Sequence, residues 1–397
     1  MAREGRRVAR AFLIWTGSRA CFHRGYVLTS SLYFVVTAHL SPVRLLLLGA
    51  VIAGTMLVSD LPTGVWSDAA GRRWPLVLGH AFLGAGMVVT GLVTGFWWIV
   101  ATQVAWGLGW ACLSGAEVAW LTDELDRPDR TARVLMAAAR WELAGGAAGM
   151  VVFGLLGWAA GLATAIVVSG AGMAALGLYV AVAFRERNFT PAREKRWAIF
   201  RRGASLARRD HEIRLVLAAT MIVNGAGMVS WLFPRRLVDL GFPDDPTLWY
   251  TALGILAAGA GVVALRVVQA RIDGAGVARR VYALACLLGA GALILLACAP
   301  GALTGAFGVL VVSGIAVSLT RAVGVVWVNR RTTSGVRATV HSFLSQAETG
   351  GEIVGGIALA ALAQAAGTPA TLAVSGVLIA GAGVLVARCR IGEPPFV

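Results

Sequence analysis

Carboxylate side chains interrupt several apolar stretches of this sequence, where a charged group is costly unless it meets a partner or water. Asp60 and Glu117 each stand alone within such a stretch. Glu348 and Glu352 are one helical turn apart, so their side chains face together. A carboxylate in such a place can carry a proton, and two neighbouring carboxylates titrate as a coupled pair. These four acids are therefore candidate proton carriers.

Basic and other polar side chains in the same stretches are candidate substrate contacts. Arg19 is the leading one, because Arg19 and His23 are four residues apart and form a polar stripe on one helix face. Arg19 can equally form a structural pair with an acid from a neighbouring helix. The remaining polar candidates are Arg140, Glu142, Asn224, Arg321 and Gln346.

Each candidate acid also has a purely structural alternative. Asp60 and Glu117 can neutralise a neighbouring arginine permanently, and Glu348 with Glu352 can do the same for Arg321. The arginines that can serve Asp60 and Glu117 in this way are Arg19 and Arg140. The sequence leaves both roles open for every acid.

Tryptophans occur near these charged residues, at Trp15, Trp106, Trp110 and Trp120. Their rings can stack on an aromatic substrate. They can also pack between helices or anchor a helix end at a membrane interface. Both interpretations stay open at this point.

The elements that position these side chains must be membrane-spanning helices. Of the 397 residues, 58% are hydrophobic and 14% are charged, and the mean hydropathy is +0.75, unlike a soluble globular chain. Apolar runs of about 20 residues recur throughout, which is the length of a helix that crosses the bilayer. A helix also satisfies its own backbone hydrogen bonds there. The sequence therefore predicts an all-α integral membrane protein.

Twelve transmembrane helices are predicted, in two six-helix pseudo-repeats. The spans are 11–38, 43–66, 74–94, 97–121, 134–158, 162–184, 213–236, 247–269, 280–299, 302–326, 338–364 and 369–388. The domains are then an N-terminal six-helix bundle (1–184), a basic linker (185–212) and a C-terminal six-helix bundle (213–397). Asp68 and Asp273 each follow the second span of their half and precede a glycine and paired arginines, which indicates the repeat.

Basic residues fall in alternate connections between spans, which predicts that both termini are cytoplasmic. The net charge of +15 from 35 basic and 20 acidic residues follows from this topology, so we expect no nucleic-acid partner. Arginine outnumbers lysine 34 to one in a chain rich in alanine and glycine, which is typical of a GC-rich bacterial genome. We therefore expect a multi-pass protein of the bacterial inner (plasma) membrane.

The linker between the halves mixes arginines with apolar residues. Trp197, Ile199, Phe200 and Leu206 lie among them. An amphipathic helix on the anionic inner leaflet fits this pattern. A solvated loop that is retained inside by its own charge fits it equally well.

A short polar motif follows the second span in the stretch GVWSDAAGRR. Gly64 would allow close approach of another helix, and Gly71 would allow a tight turn. Asp68 can accept hydrogen bonds from the N-terminus of a neighbouring helix. The motif is therefore expected to organise one end of the helix bundle.

Two arginines complete the motif, and they need acidic partners if they face other helices. Arg72 or Arg73 is expected to pair with Asp123 or Glu124 at the end of the fourth span. Anchoring of the topology is a second role that the same arginines can have. The two roles are compatible.

The six-plus-six arrangement, the basic linker and the pattern G-x-x-x-D-x-x-G-R-R after the second span resemble the major facilitator superfamily. The resemblance implies a transporter whose halves rock around a central site, and a gating motif that latches them on the cytoplasmic side. Ala69 departs from the family pattern, which commonly has a basic residue there. Gly145, Gly146 and Gly149 in the fifth span are similar to the glycine-rich motif of the family's drug/proton antiporters, although that motif often includes a proline, absent here.

These patterns together predict a secondary transporter, an antiporter that exports a small, partly apolar compound in exchange for protons. Uptake of an anionic nutrient with Arg19 and Arg321 as a clamp is the alternative, and a non-transporting membrane sensor is a third hypothesis. The sequence shows no phosphate loop, metal-ligand spacing or catalytic triad. We therefore expect no enzymatic activity, no cofactor and no metal, and a monomer in the lipid bilayer.

Overall fold

The computed structural model describes residues 2–125, 127–189, 210–243, 245–269, 275–331 and 334–388. Within these ranges the chain forms helices and short connections and contains no β-strand. The helices are α1 (Ala2–Val36), α2 (Pro42–Ala70), α3 (Arg73–Leu92), α4 (Phe96–Leu113), α5 (Ala116–Leu125), α6 (Pro128–Ala160), α7 (Leu162–Ala183), α8 (His211–Gly227), α9 (Phe233–Asp239), α10 (Thr247–Gln269), α11 (Ala275–Ala297), α12 (Ala302–Leu310), α13 (Val317–Arg331) and α14 (Ser334–Arg388).

Each of the twelve predicted spans lies on this helical framework. Ten of the described helical segments are long and apolar enough to cross a membrane. One of them, Val340–Arg388, contains two predicted spans, because the backbone breaks at Gly367, where φ is 78°. Helix α1 is not among the ten, and it carries the charged side chains of Arg19 and Arg24 in its middle. The all-α fold with membrane-spanning helices is thus confirmed.

Three predicted spans are interrupted helices. The fourth is divided into α4 and α5 at Gly115, whose φ of +74° belongs to the left-handed region that glycine adopts without strain. The seventh contains a 3₁₀ segment, Met228–Leu232, and the tenth contains a π-helical segment, Val311–Ala316. The hydropathy pattern predicts each of these as one continuous span, because a short break does not change its apolar character.

The contacts divide the chain into two compact units. Unit 1 comprises Met1–Leu40, Val51–Arg193 and Asp245–Thr251, and unit 2 comprises Ser41–Ala50, Glu194–Asp244 and Ala252–Val397. Asp273 and linker residues 190–209, on which two of the predictions depend, lie outside the described residues. The predicted domain boundaries stay a prediction.

Closely packed glycines join two helices in each unit. In unit 1, a Cβ on Gly145 of α6 would overlap the carbonyl of Gly17, and one on Gly149 would overlap that of Cys21 in α1. The predicted close packing of the fifth span is therefore present. Only the absence of a side chain lets these two backbones approach so closely.

Unit 2 contains a matching glycine pair. A Cβ on Gly351 of α14 would overlap the carbonyl of Met221, and one on Gly355 would overlap that of Gly225 in α8. Both glycine pairs have the same four-residue spacing, and they lie 206 residues apart in the chain (145 to 351 and 149 to 355). This correspondence supports two structural repeats independently of the Asp68–Asp273 spacing.

Candidate functional site

Arg72 of the polar motif lies between two carboxylates in unit 1. Its guanidinium pairs with Asp68 one turn earlier and donates to Ser67 Oγ at 3.2 Å, while its Nε lies 3.7 Å from Asp123 Oδ2. The expected contact between a motif arginine and the end of the fourth span is therefore present. Only 12% of the Arg72 side chain is exposed, so both acids help to neutralise a desolvated charge.

The other two residues of that expected pairing have different partners. Arg73 donates a hydrogen bond to the carbonyl of Ala181. Glu124 accepts hydrogen bonds from the backbone N–H groups of Arg187 at 2.7 Å and Asn188 at 3.1 Å. Glu124 is therefore not the partner of a motif arginine in the described structure, because its carboxylate binds the segment after the sixth span.

Glu186, which the sequence alone did not single out, holds the start of α3. Its carboxylate accepts hydrogen bonds from the backbone N–H groups of Arg72 and of Arg73, the latter at 2.9 Å. A carboxylate at this position satisfies free amides and complements the helix dipole. The available signal was an acid flanked by arginines, in FRERN directly after the sixth span.

The two motif glycines differ in what they contribute. Gly71 has φ +105° and forms the predicted turn. A Cβ on Gly71 would also come within 2.6 Å of Glu186 Oε2, so glycine leaves room for that carboxylate. The prediction of a close helix contact at Gly64 is wrong, because an added Cβ there would meet no described atom within 4 Å.

A second polar group in unit 1 centres on Arg19 of α1. Arg19 Nη2 lies 3.5 Å from Glu117 Oε2 of α5. The guanidinium carbon of Arg19 lies 4.7 Å from the Trp15 ring centre and 5.2 Å from that of Trp110. Arg19 is 8% exposed. The structure thus shows the pairing alternative for Arg19 and Glu117, within an aromatic environment.

His23 extends this group along the same face of α1. Its ring centre lies 4.9 Å from that of Trp110 and 5.7 Å from that of Trp106, and the two tryptophan rings are 5.6 Å apart. Trp120, by contrast, stacks on Phe184 with 3.8 Å between ring centres. We call the following set the Arg19 cluster: Trp15, Arg19, His23, Trp106, Trp110 and Glu117.

The break in the fourth span positions Glu117. Because Gly115 ends α4, Glu117 lies in the first turn of α5. The free amides and the positive end of the dipole in a first turn favour a carboxylate. The interrupted span therefore places an acid opposite Arg19, which a continuous helix pattern did not predict.

Asp60 of α2 is half-buried, and its Oδ1 has no hydrogen-bond partner among the described residues. It forms no ion pair with Arg19 or Arg140 in that part of the chain. Arg140 and Glu142 of α6 are exposed, and Glu142 interacts electrostatically with Glu117. The neutralising role considered for Asp60 thus has no support in the contacts.

The acids of the eleventh span lie in unit 2. Glu348 and Glu352 of α14 are half-buried and interact electrostatically with each other and with Arg321 of α13. Arg321 and Gln346 are exposed, and Asn224 Nδ2 donates to the carbonyl of Thr220 in its own helix at 2.9 Å. The structure therefore brings Arg321 near both acids and leaves Asn224 with a local role.

The described residues contain no group of three histidine, cysteine, aspartate or glutamate side chains that could hold a metal ion. The sites in unit 1 consist of ion pairs, helix termini and aromatic rings. Such groups bind and orient polar or aromatic compounds, and they can exchange protons.

Solved structures of transporters are similar to this chain over nearly its whole length. The nucleoside transporter NupG matches with a TM-score of 0.79 and 13% identity, covering 96% of this chain and 100% of that chain. A bacterial homolog of the human lysosomal transporter Spinster, inward-facing and unoccupied, matches with a TM-score of 0.76 and 14% identity, covering 97% and 96%. A peptide transporter POT matches with a TM-score of 0.72 and 13% identity, covering 97% of both chains.

Comparison with curated protein sequences gives no match. The family model described as Major Facilitator Superfamily matches residues 20–274, which is more than half of the chain. This match and the shared fold indicate a transporter rather than an enzyme. The chain belongs to the major facilitator superfamily.

Proposed function

We propose that this protein exports a small, partly apolar compound across the bacterial inner membrane in exchange for protons, with both termini in the cytoplasm. The observation that carries proton coupling is Asp60, whose Oδ1 is buried without a partner in the described structure. A carboxyl group with one oxygen buried and no counter-ion is stable when protonated and costly when charged, so it binds and releases a proton as its surroundings change.

The aromatic surroundings of Arg19 favour a partly apolar substrate. Trp106 and Trp110 provide large apolar faces. A compound that partitions into lipid enters a cell down its own gradient without a carrier, so a carrier is needed to move it out again against that gradient. A proton gradient supplies the work for this transport when two halves alternate around one site. Export follows from these two arguments.

Uptake of an anionic nutrient has less support. It requires Arg19 and Arg321 as an anion clamp. Arg19 is paired with Glu117, and Arg321 interacts with Glu348 and Glu352. An anion would have to displace these carboxylates or meet their repulsion.

Two further roles extend the proposal. Glu348 and Glu352 form a second proton site, since two neighbouring acids near one arginine share protons as a coupled pair. The cytoplasmic latch is formed by four side chains around the polar motif: Asp68, Arg72, Asp123 and Glu186. Neither role requires a second subunit, so we propose that the monomer transports.

The test is transport in proteoliposomes with an imposed proton gradient, with a panel of lipophilic compounds and the variant Asp60→Asn. We expect gradient-driven transport that stops on adding a protonophore and falls at least tenfold in Asp60→Asn. Asp129→Asn is the matched control, because the Asp129 side chain is 70% exposed and pairs with the equally exposed Arg133 at 3.1 Å. Transport that is indifferent to the proton gradient for every compound would refute proton coupling.

A further inference from the structure

The Arg19 cluster contains several buried polar atoms that have no hydrogen-bond partner among the described residues. The donors are Arg19 Nε, Trp106 Nε1 and Trp110 Nε1. His23 Nε2 and Glu117 Oε2 are also without such a partner. Glu117 Oε2 is engaged in the ion pair with Arg19. Most buried polar groups in proteins are hydrogen-bonded, so the other four atoms in one cluster require an explanation.

We propose that the Arg19 cluster binds a planar, uncharged heteroaromatic group of the transported compound, one that carries hydrogen-bond acceptors. This inference rests on the proposed function, because it takes the cluster as part of the transport site. The tryptophan and arginine N–H groups donate to the acceptors, and the rings contact the planar faces of the ligand.

The charge of the cluster selects against ions. Arg19 and Glu117 lie 3.5 Å apart and balance each other. An anion would be attracted by Arg19 and repelled by Glu117. A cation would be attracted by Glu117 and repelled by Arg19. An uncharged ligand leaves the ion pair intact, and leaving one member of a buried pair without its partner is strongly unfavourable.

The predominance of donors decides the polar character of the ligand. Two of the unsatisfied donors belong to tryptophans, which can donate but cannot accept. A purely apolar ring would leave these N–H groups unpaired. A ring that carries a carbonyl or a ring nitrogen accepts hydrogen bonds from them. The site therefore binds such a ring more tightly than a purely apolar ring.

Packing alone explains the cluster less well. Trp15, which belongs to the same cluster, donates its Nε1–H to His80 Nε2 at 3.0 Å and is fully buried. Trp15, which has a packing role, thus has a hydrogen-bond partner in His80 within the protein. The Nε1–H groups of Trp106 and Trp110, which lie one helical turn apart on α4, have no such partner in the described structure.

The experiment is calorimetric titration of the purified full-length protein in lipid nanodiscs with four planar probes. These are 4-quinolone, which is uncharged with a carbonyl acceptor; indole, which lacks an acceptor; N-methylquinolinium, a cation; and 1-naphthoate, an anion. We expect 4-quinolone to bind at least tenfold more tightly than each of the others. Equal or weaker binding of 4-quinolone would overturn the proposal without any variant.

Variants then assign the donors. Trp106→Phe and Trp110→Phe keep a ring and remove one N–H, so each is expected to weaken 4-quinolone binding about tenfold and to leave indole binding unchanged. Trp158→Phe is the control, since Trp158 is 53% exposed and lies outside the cluster. Unchanged 4-quinolone affinity in both cluster variants would refute the assignment. Because titration needs no proton gradient, this result is independent of whether transport is proton-coupled.

Discussion

The carboxylate of Glu186 accepts a 2.9 Å hydrogen bond from the backbone N–H of Arg73. This bond joins the segment after the sixth span to the first turn of the third. The neighbouring residue of that turn, Arg72, pairs with both Asp68 and Asp123. Glu186 therefore fixes the position of the arginine that connects the motif to the fourth span.

Replacing Glu186 by glutamine removes the negative charge at the start of α3 and keeps the shape of the side chain. Hydrogen bonds to charged groups contribute about 1.5–3 kcal/mol each, so we expect a clear loss of unfolding free energy and a lower melting temperature in detergent. Glu4→Gln is the matched control, because Glu4 forms an exposed pair with Arg187 that is worth less than about 1 kcal/mol. Equal effects of the two variants would contradict the role given to Glu186.

Neutralising one partner of the Arg19–Glu117 pair is expected to be more damaging than neutralising both. Arg19→Gln or Glu117→Gln leaves one buried charge without its partner, at a cost of about 3–5 kcal/mol. The double variant leaves no such charge, so it should be more stable than either single variant. Thermal unfolding of the three variants in the same detergent measures this. Additive losses in the double variant would show that the two side chains do not act as a pair.

Substitution of the closely packed glycines is expected to separate helices. Gly145→Ala and Gly149→Ala introduce a methyl group that overlaps the backbone of α1, and overpacking of this kind costs about 1–3 kcal/mol. Gly351→Ala and Gly355→Ala should have the same effect in unit 2. The measurement is the melting temperature in detergent.

The matched control for the glycine variants is Gly381→Ala in α14, where an added Cβ meets no described atom within 4 Å. Alanine forms helix better than glycine, so this variant should keep or slightly raise the melting temperature. A drop as large as that of Gly145→Ala would mean that close contact is not the cause.

Some features of the site could be predicted from local sequence, and others could not. The turn at Gly71 and the contact of Arg72 with Asp123 follow from a motif at a known span end. The close helix contact at Gly64 was predicted incorrectly, and the choice between Asp123 and Glu124 was left open, because both depend on which helix lies opposite. Glu186 and the break at Gly115 were not predicted, since neither changes the apolar pattern from which spans are recognised.

What the sequence determined by itself is the fold class and the approximate positions of the membrane-spanning segments. Apolar runs of bilayer length must become helices, because a backbone in hydrocarbon has to satisfy its own hydrogen bonds. The tertiary structure alone decided which charges are paired. Arg19 meets Glu117 and leaves Asp60 without a described partner, because pairing depends on the rotation and axial offset of helices that are distant in the chain, and hydropathy carries no information about either.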